Sequence, residues 1–288
     1  MKLNKDTNIL IVGLGVIGGG YARALTEAGY TVRCITERSC DVEYALSRGM
    51  ISYGTTVVEE ELVKSSELII FALYPTVFIE WIEKYQHLFT KGCIITDVTG
   101  VKSTVVYKVQ EMLRPDVEFI AAHPMAGRER SGVEFSDPEV FKGANYIVTP
   151  TEKNTEDAIE LCRTLGKVLG FSRISELTPE RHDRMIAFLS QLTHCIAVTL
   201  MNCNGDEGLE KYTGDSFRDL TRIAKINDRM WSELFVMNKP ALLEQMDAFI
   251  EEFTAFRDLL EREDTEGMRN KMKASTARRT LFDKPTAK

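Results

Sequence analysis

A doubly wound α/β sheet followed by an all-helical C-terminal region is the architecture that this 288-residue chain predicts, and three observations predict it. Short apolar segments alternate with helical stretches from Asn8 to about Ser175. A glycine-rich turn, Gly13-Leu-Gly-Val-Ile-Gly18, joins the first apolar segment to the first helical one. Beyond Ser175 the strand signals vanish and the spacing is helical. Strands separated by helices at this interval build a parallel sheet with helices on both faces.

The elements follow in order. Asn8–Gly13 reads as a short buried strand and Val16–Ala28 as a helix. Thr31–Ile35 is a second strand, and Cys40–Arg48 a helix closed by Gly49. Glu67–Leu73 is a continuous apolar run of the kind buried on both faces of a parallel sheet. Helix Val77–Leu88, strand Cys93–Asp97, helix Val101–Leu113 and strand Val117–Ala122 come next. Strands Asn145–Thr149 and Phe171–Ile174 flank a helix at Glu156–Leu169. Thr178-Pro-Glu180 starts a helix with proline in its first turn, and that helix runs to Cys203, mostly apolar from Met185. Such a helix belongs at the centre of its domain or in a subunit interface. Asn238–Met272 has amphipathic helical spacing, and the tail from Lys284 is expected to fray. The expected division is a dinucleotide-type domain over residues 1–174 and a helical domain over 175–288.

Composition narrows the function classes. With 27% charged and 44% hydrophobic residues the chain has the profile of a soluble globular protein. A net charge of −7 argues against a sequence-independent grip on nucleic acid. The apolar start contains five glycines and reads as strand, turn and helix, not as a signal peptide. The stretch Leu68–Ile82 is too short to span a bilayer. No membrane partner is expected, and the cytoplasm is the expected compartment. Six scattered cysteines form no CxxC pair and are expected to be reduced, several of them buried; with four histidines, no metal-ligand cluster is visible.

The glycine turn has a dinucleotide-binding context. Gly13 allows the tight turn, Gly15 lets a pyrophosphate approach the backbone, and Gly18 permits close packing of helix on strand. With Leu14, Val16 and Ile17 they place the N–H groups of a helix N-terminus against phosphate oxygens. At the end of the second strand, the acid expected to hold the adenosine ribose is replaced by Thr36, followed by Glu37, Arg38 and Ser39. Glu37 would serve the ribose of NAD; Arg38 and Ser39 would serve the 2′-phosphate of NADP, or Arg38 is a solvated loop charge. The residues leave NAD or NADP open.

Several residues carry the reactive end. His123 follows the apolar strand 117–122, where open α/β sheets place ligands, and its imidazole suits proton transfer near neutral pH. It reads as a general base for a substrate hydroxyl, against a histidine satisfied by backbone groups. Asp97 and Lys102 flank the loop after another strand, at the carboxyl edge of the sheet near the expected nicotinamide site, and Asp97 is expected among the cofactor-binding residues; as structural residues the two would be a helix cap and a helix-surface charge. Ser190 and His194 share a face of the long helix, though a lone helix histidine is more often a satisfied interior residue. Arg222 offers a planar fork for a carboxylate, while its spacing alone favours a surface ion pair with Asp219.

Taken together, GLGVIGG at the start, DVTGVK at 97–102, HPMAGRERSG at 123–132 and FRDLTRIA at 217–224 followed by Met230-Trp231 resemble the prephenate dehydrogenase family, which includes arogenate dehydrogenases of tyrosine biosynthesis. The resemblance covers nearly the whole chain. It implies a Rossmann-type domain with a helical partner domain, a homodimer, NAD or NADP as cofactor, and prephenate or arogenate as small-molecule substrate. It places the catalytic histidine at His123, the carboxylate-binding arginine at Arg222, the helix histidine at His194 and a gating glutamate at Glu129. The implied reaction is oxidative decarboxylation to 4-hydroxyphenylpyruvate. The chain departs from the family pattern twice: Gly100 stands where serine is common, and Gln191, still expected near the substrate, where histidine is frequent. The length leaves no room for a fused mutase or sensing domain, so feedback through one is not expected. Another two-domain plan, that of β-hydroxyacid dehydrogenases, requires a lysine on the long helix, and 181–202 contains none. A non-catalytic dinucleotide sensor would have no reason to place His123 and Arg222 as they are.

Overall fold

The computed structural model describes residues 2–127 and 130–283. Its chain divides by packing into two units, 1–239 and 240–288.

The first unit is built on six parallel strands in the order β3-β2-β1-β4-β5-β6. They are β1 (Ile9–Val12), β2 (Val32–Ile35), β3 (Tyr53–Thr55), β4 (Leu68–Phe71), β5 (Ile94–Asp97) and β6 (Glu118–Phe119). Helices α1 (Val16–Glu27), α2 (Ser39–Ser47), α3 (Glu60–Lys64), α4 (Pro75–Tyr85) and α5 (Ser103–Met112) connect them. This is the doubly wound order that reverses direction beside β1 and opens a crevice there. The apolar runs are continuous because both faces are covered. Ile9 and Ile11 enter one core with Leu68 and Ile70, while Leu10 and Val12 enter the other with Ile69 and Phe71. Each such side chain contributes about 1.5–3 kcal/mol when buried. Strand β3 and helix α3 fall in a stretch that the sequence pattern left unassigned; β3 is only three residues long and its Tyr53 is exposed.

The segment 117–122 is not one strand. β6 pairs parallel to β5, and after Ile120 the chain leaves that sheet as β7 (Ala121–Pro124). There it pairs antiparallel with β8 (Asn145–Thr149), which pairs parallel with β9 (Arg173–Glu176). Helix α6 (Glu156–Val168) links those two strands. His123 therefore sits within an antiparallel strand, opposite Ile147, and not at the end of a parallel one. The cause is local. Ala122 N–H donates to Asp97 Oδ1 at 3.0 Å, and the Ala122 carbonyl accepts from Lys102 Nζ at 2.6 Å. Two side chains thus take the backbone groups that the next step of the β5–β6 ladder would have used.

Lys102, for which a helix-surface position is the structural reading, is fully buried. Its ammonium lies 2.7 Å from Asp97 Oδ2, itself fully buried. Burial lowers the lysine pKa, and Asp97 opposes that shift. Of the cysteines, Cys34, Cys93 and Cys162 are buried, whereas Cys40 and Cys203 are exposed.

The long helix forms as one run over 179–202, with a widened turn inside it. It comprises α7 (Pro179–Ile186), a π-helical turn (Ala187–Leu192) and α8 (Thr193–Asn202). By length and composition it could cross a membrane, and 28% of its most apolar stretch is buried in the chain. Phe188, Leu189 and Met201 are exposed on it. α9 (Asp215–Thr221), a 3₁₀ turn (Arg222–Ala224) and α10 (Asp228–Met237) complete this unit. The second unit is a helical hairpin of α11 (Lys239–Glu261, beginning at the last residue of the first unit) and α12 (Thr265–Thr280). Lys271 pairs with Glu252 across it, and Asp264 caps α12 by accepting from Gly267 N–H.

Replacing Lys102 with Met would strand the Asp97 carboxylate in the interior. Urea unfolding is expected to show a loss of about 3–5 kcal/mol, the cost of breaking a buried pair on one side. A loss under about 1 kcal/mol would place the pair in the class of solvated surface bridges.

Candidate active site

The glycine turn has the shape its sequence requires. Gly13 adopts φ +96°, and a Cβ there would lie 2.5 Å from the Ala72 carbonyl oxygen. A Cβ on Gly18 would lie 2.1 Å from the Gly13 carbonyl oxygen and 2.9 Å from Ala72 Cβ. A Cβ on Gly15 would meet nothing within 4 Å. Two glycines are therefore demanded by the fold itself, and the middle one leaves an open approach at the N-terminus of α1. Leu14, Val16 and Ile17 complete the turn, and Leu14 N–H donates to Thr36 Oγ1 at 3.3 Å. Thr36 is thus buried and ties the turn to the end of β2, while Glu37 and Arg38 are exposed. Arg38 is not a lone loop charge: its guanidinium contacts Asp41 twice, at 2.9 and 2.5 Å, while its side chain stays largely exposed.

Asp97 presents no carboxylate to a ligand. It is fully buried, and Lys102 Nζ, Thr99 N–H and Ala122 N–H occupy its oxygens. Its role is to shape the loop after β5. Gly100 in that loop lies beside His123: a Cβ there would come 3.8 Å from Nε2 and 3.7 Å from Leu234, ordinary contact distances. The Nε2 edge of His123 thus faces the carboxyl end of β5, two strands from the glycine turn that follows β1.

The other edge of His123 meets His182, and through it Asp183, two residues that the sequence reading did not single out. His123 Nδ1 lies 2.8 Å from His182 Nε2, and His182 Nδ1 lies 2.8 Å from Asp183 Oδ1. Asp183 also accepts Lys102 N–H at 2.8 Å and Ser103 N–H at 2.7 Å, capping α5. His182 is fully buried; His123 is partly exposed. Burial lowers the pKa of both imidazoles, and for His123 the neighbouring His182 and Lys102 add to the effect. For Asp183, burial disfavours the charge, but the bonds from His182 and Ser103 outweigh it and hold the carboxyl below its ordinary value. One sequence signal was available: 182, 183, 186 and 187 form a buried helical stripe, and its first two members are polar.

The long helix holds the remaining candidates. Gln191, expected to meet substrate, is buried and spent within the fold. It accepts from Asn238 Nδ2 at 2.7 Å and donates to the Leu234 carbonyl at 3.0 Å. Asn238 also donates to the Asp183 carbonyl at 2.9 Å, so this pair braces the relay from behind. His194 stacks on Trp231 with ring centroids 3.7 Å apart and donates through Nδ1 to the Ser190 carbonyl at 2.8 Å. Arg222 is exposed on its 3₁₀ turn, which packs on α8. Glu129 lies outside the described residues.

The sequence and the fold match those of known proteins. Residues 21–172 match the family model for the prephenate dehydrogenase nucleotide-binding domain, and 178–274 match that for the prephenate dehydrogenase dimerization domain. The prephenate dehydrogenase of Bacillus subtilis is 29% identical over 280 residues, covering 93% of this chain and 74% of its own. The cyclohexadienyl dehydrogenase of Zymomonas mobilis is 29% identical over 289 residues, covering 96% and 97%. The structure of A. aeolicus prephenate dehydrogenase in complex with hydroxyphenyl propionate and NAD+ superposes with a TM-score of 0.89 at 28% identity, covering 98% of this chain and 100% of that one.

The cradle geometry predicts different outcomes for two alanine substitutions. Gly15→Ala should leave the thermal midpoint of the ligand-free protein unchanged while weakening dinucleotide binding at least about tenfold, or 1.4 kcal/mol. Gly18→Ala should lower the midpoint before any ligand is added. Calorimetry with and without dinucleotide reads both; equal effects of the two on the ligand-free protein would contradict the cradle.

Proposed function

The chain belongs to the prephenate dehydrogenase family, and from that premise we propose that it catalyses the oxidative decarboxylation of prephenate to 4-hydroxyphenylpyruvate in tyrosine biosynthesis. The observation that carries this reading is His123: one ring nitrogen is engaged by a buried partner and the other faces the carboxyl edge of the parallel sheet.

The backbone of Gly13, Leu14, Gly15, Val16, Ile17 and Gly18 would hold the pyrophosphate of the cofactor, with Glu37 at the adenosine ribose. We assign NAD+ as the preferred form, because Arg38 is already engaged by Asp41. When bound, it supplies the acceptor for a hydride from the ring carbon that bears the hydroxyl. His123 Nε2 accepts the proton of that hydroxyl. The ring carboxylate then departs as CO2, its bonding electrons make the ring aromatic, and the oxygen recovers a proton as a phenol. Aromatisation drives the sequence, so the protein's task is orientation and one base. Arg222 is assigned to a substrate carboxylate, His194 and Ser190 to the substrate-facing side of the long helix, and Glu129 to gating or ordering the site. Gln191, by contrast, acts through the fold.

The same reading divides the chain into a dinucleotide-binding domain over 1–174 and a substrate-binding and dimerisation domain over 175–288. A second copy of the chain is the natural cover for the exposed apolar residues Phe188, Leu189 and Met201, giving a homodimer. A cytoplasmic location accords with an acidic chain acting on small anionic metabolites.

Near-UV absorbance of the reduced nicotinamide, with prephenate or arogenate and with NAD+ or NADP+, tests the assignment. Turnover of prephenate with NAD+ is expected; silence with both substrates would overturn it. His123→Asn should lower kcat by about 100- to 10,000-fold with dinucleotide affinity intact. Arg222→Ala should raise KM by the equivalent of roughly 2–4 kcal/mol, and an unchanged KM would remove it from the substrate site. His123 works as a base only when neutral, and its pKa is pushed well below 6.5. The acid limb of the kcat/KM profile should therefore lie below the ordinary imidazole range, with activity rising through it as pH increases.

A further inference from the structure

We propose that His182 and Asp183 are positioning residues that fix His123 in its Nδ1–H tautomer and so present the Nε2 lone pair to the substrate hydroxyl. This rests on the function proposed above for its consequence, but not for its geometry.

Asp183 receives two backbone N–H groups, from Lys102 and Ser103, as well as the His182 ring. A carboxylate so placed is ionised and can only accept. The proton between it and His182 therefore belongs to His182 Nδ1. His182 is fully buried, which disfavours its cation, so its Nε2 carries a lone pair. A lone pair 2.8 Å from His123 Nδ1 requires a donor there. That consumes the single proton of a neutral His123, and Nε2 is left as its acceptor. The opposite assignment would need a buried His182 cation, or two acceptors facing each other with no proton between them at one link of the chain.

The other charges facing these rings are Lys102 and Asp97. They pair with each other at 2.7 Å and leave Asp183 as the carboxylate bonded to the two-ring chain. When His123 takes up a proton, its Nδ1–H already points along this chain to a fixed anion. The logic matches that of a Ser-His-Asp hydrolase, where exchanging the carboxylate for an amide imposes the wrong tautomer and lowers kcat about 10,000-fold. Here a second imidazole stands between carboxylate and base. The brace from Asn238 to the Asp183 carbonyl holds the far end.

The test uses the full-length protein, unliganded and in turnover. Nitrogen-15 NMR of the histidine rings near neutral pH should show wild-type His123 protonated at Nδ1. In His182→Leu the ring should shift toward Nε2–H, and kcat should fall at least about tenfold with KM and dinucleotide affinity unchanged. His182→Gln, whose amide oxygen can accept from Nδ1–H, should restore most of both signals. A wild-type His123 protonated at Nε2 would overturn the proposal. So would a His182→Leu protein that melts earlier but keeps wild-type kcat and tautomer. If His182→Leu does not fold, the wild-type spectrum and His182→Gln still decide. Absence of turnover in the wild type with either substrate would defeat the functional assignment, while the NMR result would still judge the tautomer.

Discussion

A lysine ammonium and an aspartate carboxylate, both wholly out of water, hold the centre of this molecule. Lys102 and Asp97 pay a desolvation cost of several kcal/mol each, which their mutual attraction offsets only because further partners complete both groups. Those partners are the two backbone groups of Ala122, together with Thr99. The ion pair thereby sets where the sixth strand leaves the parallel sheet. It sets the start of α5, and it seats His123 one residue beyond the anchored Ala122. Asp183 is tied to the same place through the amides of Lys102 and Ser103. One electrostatic knot thus fixes the loop after β5, the strand that carries the base and the helix that orients it.

The two ends of the site are built on different physics. At the cofactor end the determinants are backbone: a positive φ, two forbidden Cβ positions and a helix N-terminus. At the reactive end they are side chains in a low-dielectric setting, where an unpaired donor or acceptor is costly and every proton has a required place. Gly100 belongs to the reactive end: a side chain there would come into ordinary contact with both His123 Nε2 and Leu234, and its absence leaves that space in front of the base unfilled.

What the sequence made legible followed from local rules. The strands β1, β2, β4 and β5 and their helices were readable because burial on both faces yields uninterrupted apolar runs. The glycine turn was readable because its constraints are steric and lie within six residues. The switch of 117–122 from one sheet to another was not, since Ala122 carries no sign that side chains at 97 and 102 will claim its backbone. Lys102 looked like a surface charge for the same reason. Arg38 and Gln191 looked like ligand contacts, yet Arg38 pairs with Asp41 at the surface and Gln191 is taken up by Asn238 inside the fold. His182 and Asp183 were legible only as polar members of a buried stripe, and their meaning needed a partner 59 residues away.

The widened turn at 187–192 has a geometric consequence for the long helix. A π turn holds one residue more than its α counterpart, which advances the angular phase of everything downstream by about 100°. The helix can thereby face His182 and Asp183 toward the base, yet present His194 to the indole of Trp231 about three turns later. A chain with one residue fewer in this turn would keep the relay but rotate His194 off its aromatic neighbour. The extra residue works as a phase offset between two halves of one rod, letting a single helix serve the proton-handling side and the aromatic side of the site independently.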